Sequence, residues 1–312
     1  MSETMQVVRY YPPGSFEKLR YQTEPVPGAP GAGQAVIAVH GVGLIWPELT
    51  WPIYQSPSGE YLPHIPGHDF SGVISSVGSG SDLKVGREVY GLTSRRNHEG
   101  AMAQYVKADV DQIVAKPKNL SMIEAAAVPL SALTAWQGLF VHGGLKKGQK
   151  VLITGAAGGT GVWAMQFAKW AGADVVGTGS ADRSREIVEG FDVKFVDYKT
   201  TKLAVVATDM DVVLDCVGGQ VTHECLDLVR KDGIVVSIAG FDCAESAKEK
   251  GVRGSFFIVR MDADQLNQIT KLIEDGEVKV FVDAVYPLEK TKAAFEAASE
   301  GHVHGKVVIK VV

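Results

Sequence analysis

Residues 148–169, GQKVLITGAAGGTGVWAMQFAK, carry a strand, a glycine turn and a helix start in one run. Val151, Leu152, Ile153 and Thr154 form the short apolar segment that a strand buried in a parallel sheet requires, and Gly155 ends it. Gly158, Gly159 and Gly161 let the backbone approach a pyrophosphate with no Cβ in the way, while a helix opening near Thr160 aims its first N–H groups at the same anion. Val162, Met165, Gln166 and Lys169 continue at helical spacing, with Ala164 and Ala168 small enough to pack on a sheet. The stretch predicts a dinucleotide site built on Gly155, Ala157, Gly158, Gly159, Thr160 and Gly161.

The end of the next strand, 174–178, tests which dinucleotide is bound, because an acidic residue there would take the ribose hydroxyls of NAD. None stands there. Thr178 is followed by Gly179, Ser180, Ala181, Asp182 and Arg183, so a hydroxyl and a cation suited to a 2′-phosphate are supplied, and NADPH is favoured. Two readings stay open for the last pair: Arg183 binds the phosphate or is a solvated helix-start residue, and Asp182 touches ribose or caps the helix.

Around this stretch the period of the sequence changes once. Residues 5–10 and 34–39 read as strands separated by the Pro- and Gly-rich YQTEPVPGAPGAG, and 68–92 and 101–117 alternate apolar residues with glycine turns, which describes an all-β lobe. At Ser121 helix formers begin, opened by a Ser-x-x-Glu box with Glu124. Strand and helix then alternate, with strands at 151–154, 174–178, 194–196, 211–218 and 233–240 and a sixth expected at 256–259. Alternation of this kind implies a doubly wound parallel sheet with ligands at the carboxyl ends of its strands. ADQLNQITKLIEDG then reads as an amphipathic helix closed by Gly276, and the closing HGKVVIKVV is a strand expected to rejoin the β lobe. The expected division is 1–120 with 261–312 for the β-rich domain and 121–260 for the dinucleotide-binding domain, with a cleft between them.

Composition narrows the function classes. A chain of 312 residues, 46% hydrophobic, buries a large core. A net charge of −5 with a pI near 5.9 offers no basic surface for nucleic acid, and no apolar run approaches a membrane span. Cys216, Cys225 and Cys243 are too far apart for a disulfide framework or metal cluster, and the opening MSETMQVVRYY lacks a leader pattern, so a cytoplasmic protein is expected.

With these residues in place, the chain resembles the medium-chain dehydrogenase/reductase superfamily, in its zinc-independent quinone oxidoreductase branch that includes the zeta-crystallins. The branch signature is met by Gly148, Gln149, Leu152, Ala156, Ala157, Gly158, Gly159, Gly161, Gln166 and Lys169, and LPHIPGHDFSGVI at 62–74 and VLDCVGG at 213–219 resemble further family blocks. The resemblance implies an α/β fold: a Rossmann doubly wound sheet plus a GroES-like β-rich catalytic domain. It also implies hydride transfer from NADPH to the C=C of an α,β-unsaturated carbonyl or to a quinone, with a non-catalytic NADPH-binding structural or sensor protein as the alternative. A small apolar substrate and a homodimer go with it. Zinc-dependent relatives use a Cys, a His and a Cys or Asp; here His68 and Asp69 occupy one block, but no cysteine stands near Val42–Trp46 or Leu130–Ser131, so no metal is expected.

The same resemblance carries cofactor contacts onto Thr134, Tyr198, Val217, Gly218, Ala239 and Lys306. It points to Tyr54 as proton donor, with Tyr61 as the fallback, although Ile45 and Glu48 replace the Asn and Asp usual just upstream. Trp46, Trp51, Tyr54, Tyr61 and Phe257 are the candidate substrate wall, core packing being the other reading for the tryptophans and for Phe257. His64, His68, His302 and His304 read as polar or turn residues, and Cys216 as buried and inert.

Overall fold

The computed structural model describes residues 3–56, 58–60, 62–93, 99–180, 182–301 and 303–312. The chain divides into two units, one of residues 1–130 with 261–312 and one of residues 131–260. The first unit thus runs past the change of period at Ser121. Ser121 and Glu124 do form the capping box of a short helix α1, Met122–Ala126, but α1 belongs with the strands, because Ser71 donates its hydroxyl to the carbonyl of Met122 at 2.6 Å. Pro129 lacks the N–H to continue α1, so a new helix α2, Pro129–Trp136, begins there.

In the first unit the strands are β1 (Thr4–Tyr10), β2 (Leu19–Pro25), β3 (Gln34–Gly43), β4 (Asp69–Val77), β5 (Glu88–Leu92), β6 (Tyr105–Asp109) and β7 (Ile113–Ala115). β1 and β2 form an antiparallel pair, and β3 lies at the centre of a larger sheet, flanked by β4 and also paired with β6. The core of this unit gathers alternate residues of these strands, among them Val7, Ile37, Val39, Val42, Phe70 and Ile74, all buried.

The second unit is a six-stranded sheet of β8 (Lys150–Ile153), β9 (Asp174–Gly179), β10 (Lys194–Asp197), β11 (Met210–Asp215), β12 (Val229–Ser237) and β13 (Arg253–Phe256), all parallel, in the order β10-β9-β8-β11-β12-β13. The sixth strand lies at 253–256 and not at 256–259, because Gly254 fits beneath Ala247 and lets the chain pair with β12 earlier. Helix α3, Gly159–Trp170, packs on β8 and β9, and its Val162, Trp163, Ala164, Met165 and Phe167 are buried, Phe167 against Trp136 of α2. Burying Val162, Met165 and Phe167 stabilises the fold by roughly 1.5–3 kcal/mol each. α4 (Asp182–Glu189) covers β9 and β10, α5 (Leu203–Val206) follows β10, α6 (Gln220–Cys225) covers β11 and β12, and α7 (Cys243–Lys250) covers β12 and β13.

The chain returns to the first unit through α8 (Ala263–Glu274), β14 (Val282–Pro287), α9 (Thr291–Ser299) and β15 (Lys306–Lys310). β15 pairs antiparallel with β3, as expected for the closing strand, and parallel with β14.

Candidate functional site

In the second unit, β8 sits between β9 on one side and β11 on the other, so the strand order reverses there and the loops after β8 and β11 diverge. Gly155 makes the turn out of β8 with φ +60, a conformation that favours glycine. Thr178 anchors it from β9: its hydroxyl accepts the Gly155 N–H at 3.3 Å and its carbonyl accepts the Ala156 N–H at 2.8 Å. Thr178 is thereby buried beneath the turn as a brace. Gly158 is the N-cap of α3 and has no side chain to cap it, which leaves the first-turn amides for an anion. Gly161 lets α3 lie against the turn, since a Cβ there would stand 2.7 Å from Ala156 Cα and overlap the Gly155 carbonyl.

The loop after β11 is organised by one carboxylate. Asp215, fully buried, accepts at Oδ1 from the Thr154 hydroxyl at 2.9 Å and from the Val217 and Gly218 amides at 3.0 and 3.1 Å. At Oδ2 it accepts from the hydroxyls of Thr222 at 2.6 Å and Ser237 at 2.8 Å. The ends of β8, β11 and β12 and the start of α6 are tied to one side chain, which holds the ring of loops at the carboxyl edge of the sheet. Sequence reasoning passed over Asp215; the Asp in VLDCVGG at the end of an apolar strand was the available signal. Val217 is exposed beside it, Gly218 bends at φ +85, and Ala239 donates its N–H to Ser237 Oγ at 3.3 Å.

Beyond β9, Ser180 accepts a hydrogen bond from the exposed Tyr198 hydroxyl at 3.1 Å, and Arg183 lies exposed in the first turn of α4. Thr134 is buried in α2. Phe257 is buried against the ring of His142, centroids 4.3 Å apart, so it packs within its own unit. Cys216 is half-buried rather than fully so, and burial, with the charge of Asp215, pushes its thiol well above the ordinary range. The amides of α3, the missing Cβ atoms and the lack of an acidic residue at the end of β9 fit a nicotinamide dinucleotide.

The first unit holds a second constellation. Tyr54 is buried, and its hydroxyl lies 2.6 Å from His68 Nε2, while His68 Nδ1 lies 3.0 Å from Thr93 Oγ1. The Tyr54 ring stacks on His64 with centroids 3.4 Å apart, and Trp51 stacks on His68 at 5.5 Å. Pro47 and Pro52 start the two short 3-10 turns, Trp46–Thr50 and Pro52–Tyr54, that carry these aromatics. Glu48, the departure from the usual Asp, is buried and accepts the Gly67 N–H at 2.9 Å, bracing the residue before His68. Gly67 itself sits at φ +92.

Asp69 and Lys306 form a buried ion pair at 2.7 Å, and Asp69 also accepts the Leu130 N–H. Lys306, expected beside the cofactor, is engaged by Asp69 in the first unit. Trp46 is 47% exposed. Tyr61 and His302 lie outside the described residues. The histidines at 64 and 68, read from sequence as polar or turn residues, are the partners of Tyr54, one by stacking and one by hydrogen bond; the spacing HIPGH was the signal for that pairing.

Two family models match the chain, one described as an alcohol dehydrogenase GroES-like domain over residues 31–118 and one as a zinc-binding dehydrogenase over residues 190–309. The chain is 36% identical to a probable zinc-binding oxidoreductase, mitochondrial, of Arthroderma benhamiae, over 94% of this chain and 93% of that one. It is 31% identical to the chloroplastic NADPH-dependent alkenal/one oxidoreductase of Arabidopsis thaliana, over 80% of this chain and 64% of the relative. Among solved structures, the quinone oxidoreductase from Coxiella burnetii superposes with a TM-score of 0.93 at 28% identity, over 99% of this chain and all of that one (100%). The chain therefore belongs to the medium-chain dehydrogenase/reductase superfamily, as an oxidoreductase of its quinone oxidoreductase-like branch.

The zinc in the family model's description does not fit the residues described. His68 has both ring nitrogens engaged by Tyr54 and Thr93, Asp69 is bonded to Lys306 and Leu130, and no group of three His, Cys, Asp or Glu stands together among the described residues. No helix among them is long and apolar enough to cross a membrane.

Proposed function

We propose that the protein reduces α,β-unsaturated carbonyl compounds with NADPH and without zinc. The carrying observation is the buried Tyr54–His68–Thr93 chain: a phenol held by an imidazole is a proton donor, and both ring nitrogens of His68 are engaged in that chain. When bound, the reduced nicotinamide supplies hydride, which adds at the β-carbon and leaves negative charge on the carbonyl oxygen. Tyr54 serves that charge and then protonates the enolate.

The dinucleotide rests on Gly155, Ala157, Gly158, Gly159, Thr160 and Gly161, with Val217, Gly218 and Ala239 beside the ring and Thr134 near it. Ser180, Tyr198 and Arg183 take the 2′-phosphate end, and their hydroxyl and cation chemistry supports NADPH over NADH. Trp51 bounds a flat apolar substrate. The Arabidopsis relative, named for NADPH and for alkenals and alkenones, supports the same reading. We further propose a homodimer.

The test is the loss of reduced-nicotinamide absorbance with a panel of enones, enals and quinones, NADPH and NADH run in parallel. Turnover of enones with NADPH preferred supports the reading. Tight NADPH binding without oxidation by any acceptor, or turnover abolished by a chelator and restored by zinc, overturns it.

A further inference from the structure

We propose that His68 is a positioning residue that donates from Nε2 to the Tyr54 oxygen, directing the phenol's own hydrogen away from the imidazole and toward the acceptor. The inference rests on the enone-reductase reading for its chemistry, and on hydrogen-bond accounting for its direction. The 2.6 Å contact between Tyr54 Oη and His68 Nε2 is compatible with a proton on either atom. Thr93 breaks the tie. Thr93 is 3% exposed, its backbone N–H is spent on the His68 carbonyl at 2.9 Å, and among the described residues His68 Nδ1, at 3.0 Å, is the acceptor its hydroxyl hydrogen reaches. A buried hydroxyl without an acceptor costs about 1–3 kcal/mol. With Thr93 donating to Nδ1, the neutral ring carries its proton on Nε2, aimed at the Tyr54 oxygen.

The rest of the surroundings hold this arrangement. Trp51 lies on His68 at an interplanar angle of 18°, and His64 lies on Tyr54 at 12°, so each ring is packed face-on against an aromatic neighbour. Among the described residues, the titratable and charged groups in contact around the pair include His64 and Tyr10 on the Tyr54 side, Glu48 through Gly67, and the Asp69–Lys306 ion pair next along β4.

In the reaction, as hydride adds at the β-carbon, the C=C π pair shifts into the bond between the α-carbon and the carbonyl carbon and the C=O π pair goes to oxygen; the enolate oxygen takes the proton of the Tyr54 O–H, and the enol tautomerises to the saturated carbonyl. The O–H bonding pair stays on the phenolate oxygen, where the Nε2–H hydrogen bond stabilises it, and water restores the proton after product leaves. A donor to the charged form favours ionisation of the phenol, which an acceptor in the same place would not.

The experiment is a pH titration of the full-length protein labelled with 13Cζ-tyrosine, the Tyr54 resonance being assigned by its loss in Tyr54→Phe. His68→Leu is expected to raise the pH at which Tyr54 ionises by about one unit or more, and His68→Gln, whose amide N–H still donates, to bring it back toward wild type. Thr93→Val is expected to move it in the same direction as His68→Leu, and Thr93→Ser to leave it in place. An unchanged or lowered ionisation pH in His68→Leu overturns the proposal, because it assigns the proton to Tyr54 in that hydrogen bond.

Kinetics supply the second arm. His68→Leu is expected to lower kcat with an enone about a hundredfold, with the KM for NADPH unchanged, and to have no further effect in the Tyr54→Phe background. Full additivity of the two substitutions marks His68 as structural and overturns the proposal. If the wild type turns over no enone, the reductase reading fails, while the titration still decides whether His68 donates to Tyr54.

Discussion

Lys306 Nζ and Asp69 Oδ2 stand 2.7 Å apart in the interior of the first unit, on strands that are not neighbours. β3 runs between them, and its Gly43 pairs with Val308 on one side and Asp69 on the other. A Cβ at Gly43 would stand 2.7 Å from Lys306 Cε and 2.8 Å from Asp69 Cβ, so the glycine is what lets the two charges meet over the strand. Burying such charges costs more than their attraction returns unless both stay paired. Lys306→Met leaves Asp69 buried without its cation and is expected to destabilise the protein by about 3–5 kcal/mol, read by urea unfolding. A loss below about 1 kcal/mol would show that water reaches the pair.

Gly161→Ala is expected to weaken NADPH binding at least tenfold, measured by nucleotide fluorescence, because the added methyl meets Ala156 Cα at 2.7 Å and must push α3 off the turn. Gly28→Ala, where a Cβ meets nothing within 4 Å, is the control and is expected to leave affinity unchanged. Equal effects of the two would mean that the helix–turn contact does not shape the anion site.

Arg9 reaches both carboxylate oxygens of Glu24 at 2.7 Å across the β1–β2 pair. The hydrogen bond from Arg9 holds the Glu24 carboxyl below the usual carboxylate range. A depressed folded-state value contributes stability that is fully present above the unfolded value, near 4.3, and is lost as pH falls through the folded one. Arg9→Met should therefore cost about 1 kcal/mol at neutral pH and flatten this part of the acid limb of a stability-versus-pH curve. An acid limb as steep as the wild type's would assign the loss to other carboxylates.

The thiols are expected to resist alkylation. Burial pushes Cys243 up to about 11, and it pushes Cys216 and Cys225 well above the ordinary value with the help of Asp215. At pH 8 iodoacetamide should modify the native protein at least a hundredfold more slowly than a free cysteine, and the denatured protein at the ordinary rate. Rapid labelling of Cys216 in the native state would mark it as accessible and activated.

What was legible in the sequence was local. The run from Gly148 to Lys169 folds as β8, its turn and α3 because each residue's partner lies within a few positions: Gly155 needs its φ for the turn, Gly158 at the N-cap leaves the first amides of α3 uncapped, and Val162 and Met165 recur at helical spacing. The Ser121–Glu124 box is of the same kind. Where such signals met a longer-range contact they failed. The helix expected from Ser121 was cut by Pro129 and its first turn taken by the β-rich unit through Ser71, and the sixth strand moved because Gly254 packs under Ala247.

The sequence by itself determined the two architectures and the dinucleotide turn, since backbone conformation and apolar periodicity are set by neighbouring residues. The tertiary structure alone decided what the polar side chains do. Tyr54 meets His68 14 positions away and His68 meets Thr93 25 positions away, Asp215 gathers donors from the ends of β8 and β12, from its own loop and from α6, and Lys306 finds Asp69 across Gly43. A hydrogen bond or ion pair is fixed by distance and angle in space, and sequence spacing carries neither once the partners lie on different strands.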